Sequence, residues 1–95
     1  MQVKVHYISL VKSYTKNSQD DFNLSDVSVI ADALQSVADK YGKPFTQEVY
    51  DPKCREMKPT FVAMVNGVHI DQLQGLNTPL KDGDSIILMS LMTGG

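Results

Sequence analysis

The sequence predicts an α+β domain in which one main helix packs on one face of a mixed sheet. Three observations carry this prediction. Apolar residues recur at helical spacing in a single stretch, from Val27 to Tyr41; alternating or dense β-branched runs lie at both ends of the chain; and turn signals such as Asn66-Gly67 separate the later runs. A chain of 95 residues supports one modest core and not two.

Val3, Val5 and Tyr7 alternate with Lys4, His6 and Ile8, so the chain opens with a strand whose apolar residues share one face. Residues 11 to 20 are polar and turn-forming and are expected to be a loop, after which Phe22 and Leu24 alternate as the return of a hairpin. Val27, Ile30, Leu34, Val37 and Tyr41, with Ala31 and Ala38, form the helical stripe; Asp32, Gln35, Asp39 and Lys40 lie mostly opposite. Ser28 suits an N-cap, Gly42 a C′ position and Pro44 a stop, which places the helix near residues 29 to 41. Residues 46 to 60 are expected to be an exposed loop with a short extended piece at Val49 and Tyr50. Phe61–Val65 is a dense strand, Asn66-Gly67 a type I′ hairpin turn, and residues 68 to 70 the returning strand. Residues 73 to 79 read as irregular, residues 81 to 84 as a turn, and residues 85 to 91 as a final strand.

The composition, with 42% hydrophobic and 21% charged residues, is that of a globular domain. A net charge of -2 lacks the basic excess that phosphate neutralisation requires, so nucleic acid is not an expected partner. The lone Cys54 cannot form an internal disulfide, the opening residues lead into a strand and not a signal-peptide core, and no run approaches the ~18 apolar residues of a membrane span. A cytoplasmic protein without a membrane partner is expected.

The sequence ends at Thr93-Gly94-Gly95. Two glycines after an apolar strand lose too much backbone freedom on ordering to make a good structural element, so residues 1–92 are expected to form the domain and residues 93–95 a flexible thread able to enter a narrow channel. In the final strand Ile86 and Leu88 point to one face and Ile87, Met89 and Leu91 to the other, and both sets are apolar. The preceding strand repeats this, with Val62 and Met64 on the second face. One helix covers one face only. The second set, around Met64, Ile87, Met89 and Leu91, is therefore either a docking surface continuing into Met92 and Thr93, or a buried face covered by residues 46 to 60. Lys53 and Arg55 would favour the Cys54 thiolate if the thiol is exposed, but no acid or histidine is placed beside it by sequence, and it reads as incidental. His6 and His69 have no partner at ligand spacing, so no metal site is expected. Asp82 and Asp84 flank Gly83, where they hold a turn.

The opening strand, the helix ending in Tyr41-Gly42, the Val65-Asn66-Gly67 segment, the run from Thr78 through Pro79, Leu80 and Lys81 to Asp82-Gly83-Asp84, and the terminal Gly94-Gly95 together resemble the ubiquitin-like β-grasp sulfur carriers of the MoaD/ThiS family. The resemblance spans essentially the whole chain and is closest to the molybdopterin synthase small subunit. It implies a carrier or co-substrate and not a catalyst. An ATP-dependent adenylating enzyme would activate Gly95, a donor would supply sulfur to give a thiocarboxylate, Gly94 would permit passage into narrow sites, and a large subunit or other acceptor enzyme would take the sulfur; no cofactor would be bound by the chain itself. Family members often carry two prolines before the last four residues, where this chain has Ser90-Leu91, and Leu10-Val11-Lys12 lacks the arginine common after the opening strand. These departures leave the acceptor open. Two other readings share the fold: a ubiquitin-like modifier joined to lysines through Gly95, and a binding domain with inert glycines.

Overall fold

The computed structural model describes residues 1–91. The first strand, β1 (Gln2–Tyr7), buries Val3, Val5 and Tyr7 as its alternation predicts. It pairs antiparallel with β2 (Gln19–Asn23), Val3 opposite Phe22 and His6 opposite Gln19. Between them lies a short helix, α1 (Leu10–Thr15), where a loop was expected. Val11 and Thr15, four residues apart, are its buried pair, and Lys16 closes it in the left-handed region with its N–H on the Lys12 carbonyl. Fewer than two turns long, and with Val11 its one buried apolar residue, the helix shows little pattern; tertiary packing makes it, including Tyr14 against Phe61 at a ring separation of 6.3 Å.

The main helix is α2 (Ile30–Tyr41), within a residue of its expected span, and Gly42 ends it at φ 62°. Ile30, Ala31, Ala33, Leu34, Val37 and Ala38 are buried. Val27, counted in the stripe, precedes the helix and is almost wholly exposed. Ser28 is not the cap either. The Val29 N–H is bonded by the Asp32 carboxylate at 2.8 Å, while Ser28 bonds Ser25 through its hydroxyl and Leu80 through its carbonyl.

Residues 46 to 60 also depart from expectation. A short helix, α3 (Phe45–Glu48), leads into a small hairpin of β3 (Tyr50–Asp51) and β4 (Glu56–Met57), and Phe45, Val49 and Tyr50 are fully buried. Their side chains join the core formed with Val5, Leu34 and Leu88. The buried residues of this segment therefore pack on the helix side of the sheet, while Glu56, Met57, Lys58 and Pro59 border a cleft shared with Val62 and Leu91.

Strand β5 (Phe61–Val65) turns at Asn66-Gly67, both with positive φ, into β6 (Val68–His69), so the expected hairpin forms, with Ile70 opening a 3₁₀ turn instead of extending the strand. A second 3₁₀ turn spans Gly75–Asn77 within the stretch expected to be irregular. In the turn before the last strand, Asp84 accepts from the Lys81 N–H and from the Asn66 side chain, and Asp82 accepts from the Gln2 N–H. These are the holding roles expected of the two carboxylates. Strand β7 (Ser85–Ser90) then runs through the sheet, whose order is β2-β1-β7-β5-β6. β1 and β7 are parallel and the other pairs antiparallel. The mixed sheet with one main helix on one face is the ubiquitin-like β-grasp arrangement.

Candidate functional site

The exit of β7 is fixed by its pairing with β5. Ser90 stands opposite Phe61, and the Leu91 N–H bonds the Thr60 carbonyl at 2.8 Å, so the ladder continues to the last described residue. This pairing, on a strand buried on its core face, holds Leu91 at a defined place. Met92, Thr93, Gly94 and Gly95 lie outside the described residues.

Alternation then decides what surrounds that exit. On the core face Ile86, Leu88 and Ser90 are buried. On the other face β7 presents Ile87 and Met89, both partly exposed, and β5 presents Met64, also partly exposed, with Val62 packed down between its neighbours. The register brings these residues together: Ile87 lies opposite Met64 and Met89 opposite Val62. His6 flanks Ile87 across β1, and His69 flanks Met64 across β6. Leu91 is 63% exposed at the exit itself. The four described residues proposed from sequence as a docking set thus share one face, in contact register, at the end of the sheet where the chain emerges.

One residue not named from the sequence extends the patch: Ile8, whose N–H bonds the Leu88 carbonyl, is 41% exposed one residue beyond β1. The signal for Ile8 was present, because it continues the outward parity of Lys4 and His6. A contiguous apolar surface of Ile8, Met64, Ile87, Met89 and Leu91 around a chain exit is the kind that proteins otherwise cover with a partner. The methionines add side chains that repack against different shapes.

Cys54 is exposed, but the carboxylate of Asp51 bonds its thiol and pushes its pKa up, with Glu56 adding to the effect and Lys58 opposing it. The flanking cations named in the sequence therefore do not prevail; the nearer carboxylate does. His69 accepts the Asp71 N–H through Nδ1 at 3.0 Å, which caps the following 3₁₀ turn. Among the described residues no cluster of three His, Cys, Asp or Glu side chains could hold a metal ion, and no helix is long and apolar enough to cross a membrane.

The strongest polar cluster lies elsewhere, on the helix side. Asp20 of β2 accepts from the Tyr7 hydroxyl at 2.9 Å and from the Tyr41 hydroxyl, and pairs with Lys40 Nζ at 2.6 Å. Burial alone would raise the Asp20 pKa, but hydrogen bonds from Lys40, Tyr41 and Tyr7 outweigh it and hold the carboxyl below its ordinary range. Burial, and then the adjoining carboxylate, push the Tyr7 hydroxyl far up. Tyr7 and Tyr41 meet edge to face at 6.0 Å. This network ties the C-terminal end of the main helix to the β1–β2 hairpin.

Residues 5–95 match the model of the ThiS family. No curated protein matches the sequence. Among solved structures, small archaeal modifier protein 1 from Methanosarcina acetivorans superposes with a TM-score of 0.80 at 23% identity, covering 99% of this chain and 96% of that one. A protein described as a molybdopterin converting factor, subunit 1, from Pyrococcus furiosus gives 0.77 at 21% identity, with 97% and 99% covered. The chain matched in the BexX/CysO complex of Amycolatopsis orientalis gives 0.72 at 16% identity, with 98% and 99% covered. At these identities the likeness is one of fold.

Proposed function

The chain belongs to the ThiS family, and from that premise we propose that it is a sulfur carrier, activated and loaded at Gly95 and docked through the sheet face around Met89. The observation that carries the proposal is a family match that runs through the terminal Gly94-Gly95, on a chain whose last strand emerges beside an exposed apolar surface. A carboxylate is a poor electrophile. Attack of the Gly95 carboxylate on ATP, catalysed by an adenylating enzyme, would release pyrophosphate and leave an acyl-adenylate; a sulfur nucleophile from a donor would then displace AMP. The carrier's own residues contribute position: a paired strand as a firm stalk, glycines that pass a narrow channel, and a surface that engages first the activating enzyme and then the acceptor. Molybdopterin-type cofactor synthesis is the acceptor pathway favoured by the family resemblance.

The test is ATP–pyrophosphate exchange by the source organism's adenylating enzyme with the intact chain and with a form lacking Gly94 and Gly95. Exchange with the first and none with the second supports the reading; equal exchange with both refutes it.

A modifier reading is favoured by the likeness to a structure whose name is that of a modifier protein. It begins with the same adenylate and ends in an isopeptide with lysine. Gly-Gly remnants on lysines of other proteins would select it.

A further inference from the structure

We propose that His69 is a specificity-determining donor of the docking face: the Nε2–H of its neutral imidazole meets a peptide carbonyl oxygen of the partner protein that covers Met64, Ile87 and Met89. The proposal rests on the sulfur-carrier reading above and names a polar contact within that surface. Position comes first. Residues paired across neighbouring strands share a face, so the register lays Gln19, His6, Ile87, Met64 and His69 in one row across the open side of the sheet. His69 ends that row beside Met64, with its side chain 35% exposed. On its other flank it borders the cleft that Val62 and Leu91 also line. It therefore stands where the apolar surface at the chain exit passes into that cleft.

The fold then decides which nitrogen carries the proton. A backbone N–H can only donate, and that of Asp71 lies 3.0 Å from Nδ1, so Nδ1 is the unprotonated atom and the neutral ring holds its proton on Nε2. The Asp71 carboxylate stands 3.8 Å from the same nitrogen, beyond hydrogen-bond reach. Among the described residues no group bonds Nε2, and the one buried side-chain polar atom left without a partner there is the Tyr50 hydroxyl, so Nε2 is open to solvent. The bond to Asp71 thus fixes the tautomer and holds the ring. A donor held in this way loses little freedom on meeting an acceptor, whereas a partner that covers it without supplying one leaves an N–H unpaired in a dry contact. That asymmetry lets one polar group at the margin of an apolar surface select between partners. The rim of the cleft sets the kind of acceptor. It carries Glu56 and the well-exposed Asp71 against Lys58, an excess of negative charge that repels a carboxylate. A neutral carbonyl oxygen is the matched group, and every residue of a partner's backbone carries one.

The test compares two substitutions that separate the two nitrogens of the ring. In His69→Asn the side-chain oxygen can replace Nδ1 on the Asp71 N–H while nothing reaches as far as Nε2; in His69→Gln the amide nitrogen reaches as far as Nε2 but the acceptor for Asp71 is lost. Affinity for the source organism's adenylating enzyme is read by isothermal titration, beside melting temperature and pyrophosphate exchange at saturating carrier. His69→Asn is expected to weaken binding about tenfold with its melting temperature retained, whereas His69→Gln is expected to bind within about threefold of wild type and to melt at a lower temperature. Unchanged affinity in a folded His69→Asn chain, or weaker binding by His69→Gln than by His69→Asn, overturns the donor role and leaves His69 a turn cap only. Long-range proton–nitrogen spectra of the free chain at alkaline pH, where an imidazole is neutral, are expected to place the proton on Nε2; a proton on Nδ1 overturns the proposal at its premise. Titration in two buffers of different ionisation enthalpy is expected to show no proton uptake by His69 on binding; uptake that His69→Asn abolishes would assign a carboxylate acceptor and overturn the carbonyl. Affinity lost in Met89→Asp but kept in His69→Asn overturns this contact and leaves the docking face standing. No exchange by the wild-type chain overturns the carrier reading and this proposal together.

Discussion

Met89→Asp separates docking from folding, because Met89 sits on the outward parity of β7 between two core residues. Leu88 and Ser90 on either side are buried, whereas Met89 is only half-buried and faces Val62 and the exposed apolar surface. Within the free chain the change removes part of a side-chain contact and places a poor strand former in a central strand. That costs about 1–2 kcal/mol, which a small domain of ordinary stability survives. In the complex the loss is larger. The remaining exposed part of the methionine is worth about 1 kcal/mol when covered, and an unpaired carboxylate at a desolvated apolar contact costs about 2–5 kcal/mol. Together these predict affinity for the adenylating enzyme reduced by about two to four orders of magnitude. Isothermal titration gives the affinity and a thermal melt followed by circular dichroism gives the fold. Leu88→Asp, one residue away and fully buried, is expected to prevent folding altogether. Unchanged affinity in a folded Met89→Asp chain would refute the docking role, and global unfolding of Met89→Asp would show that the outward face is part of the core.

Four further outcomes are expected. Asp20→Asn removes the charge that holds Lys40 and weakens two tyrosine hydrogen bonds; because Lys40 is 47% exposed the ion pair itself counts for little, and the loss of stability in urea unfolding is about 1–3 kcal/mol. The lowered Asp20 pKa stabilises the fold above about pH 4 and that contribution disappears as pH falls through the folded value, while the raised Tyr7 pKa contributes below about pH 10 and is lost as pH rises; urea midpoints across pH should therefore drop at both extremes, and the acid drop should be smaller in Asp20→Asn. Asn66→Ala breaks the bonds to Asp84 and the Ser85 N–H and forces alanine into φ 50°, so unfolding free energy should fall by about 2–3 kcal/mol, with Asn66→Gly losing less because glycine accepts that backbone. Cys54→Ser should leave sulfur loading unaltered in a mass assay, since its thiol is held protonated by Asp51; loss of loading would give this cysteine a role in transfer.

The elements that were legible in the sequence are those whose pattern is long or chemically unusual. Alternation located β1, a dense apolar run after a turn located β7, the Asn66-Gly67 turn located the β5–β6 hairpin, and a long stripe ending at Gly42 located α2. The misses are short elements held by distant contacts. α1 has one buried pair, and α3 with its following hairpin contributes Phe45, Val49 and Tyr50 to the core from a stretch whose other residues are polar. Phe45 and Val49, four apart, were the available trace of the second. Val27 fitted the helical period yet stands before the helix, because spacing identifies a face but not where the backbone starts to wind. Ser28 fitted the capping preference, but Asp32 reached the Val29 N–H instead. At the exit, strand parity placed Met64, Ile87, Met89 and Leu91 on one face. The preference of Cys54 for its protonated form was not legible, because it depends on a carboxylate brought back by the turn after β3.

The most direct measurement of the carrier account is intact and fragment mass spectrometry of the protein isolated from its own cells. Fragments must localise the change, since oxidation of any of the five methionines adds nearly the same mass as sulfur replacing oxygen. The account predicts one oxygen replaced by sulfur at Gly95, lost in cells lacking the adenylating enzyme. A plain carboxylate at Gly95 under conditions in which that enzyme and its sulfur donor are active would contradict it.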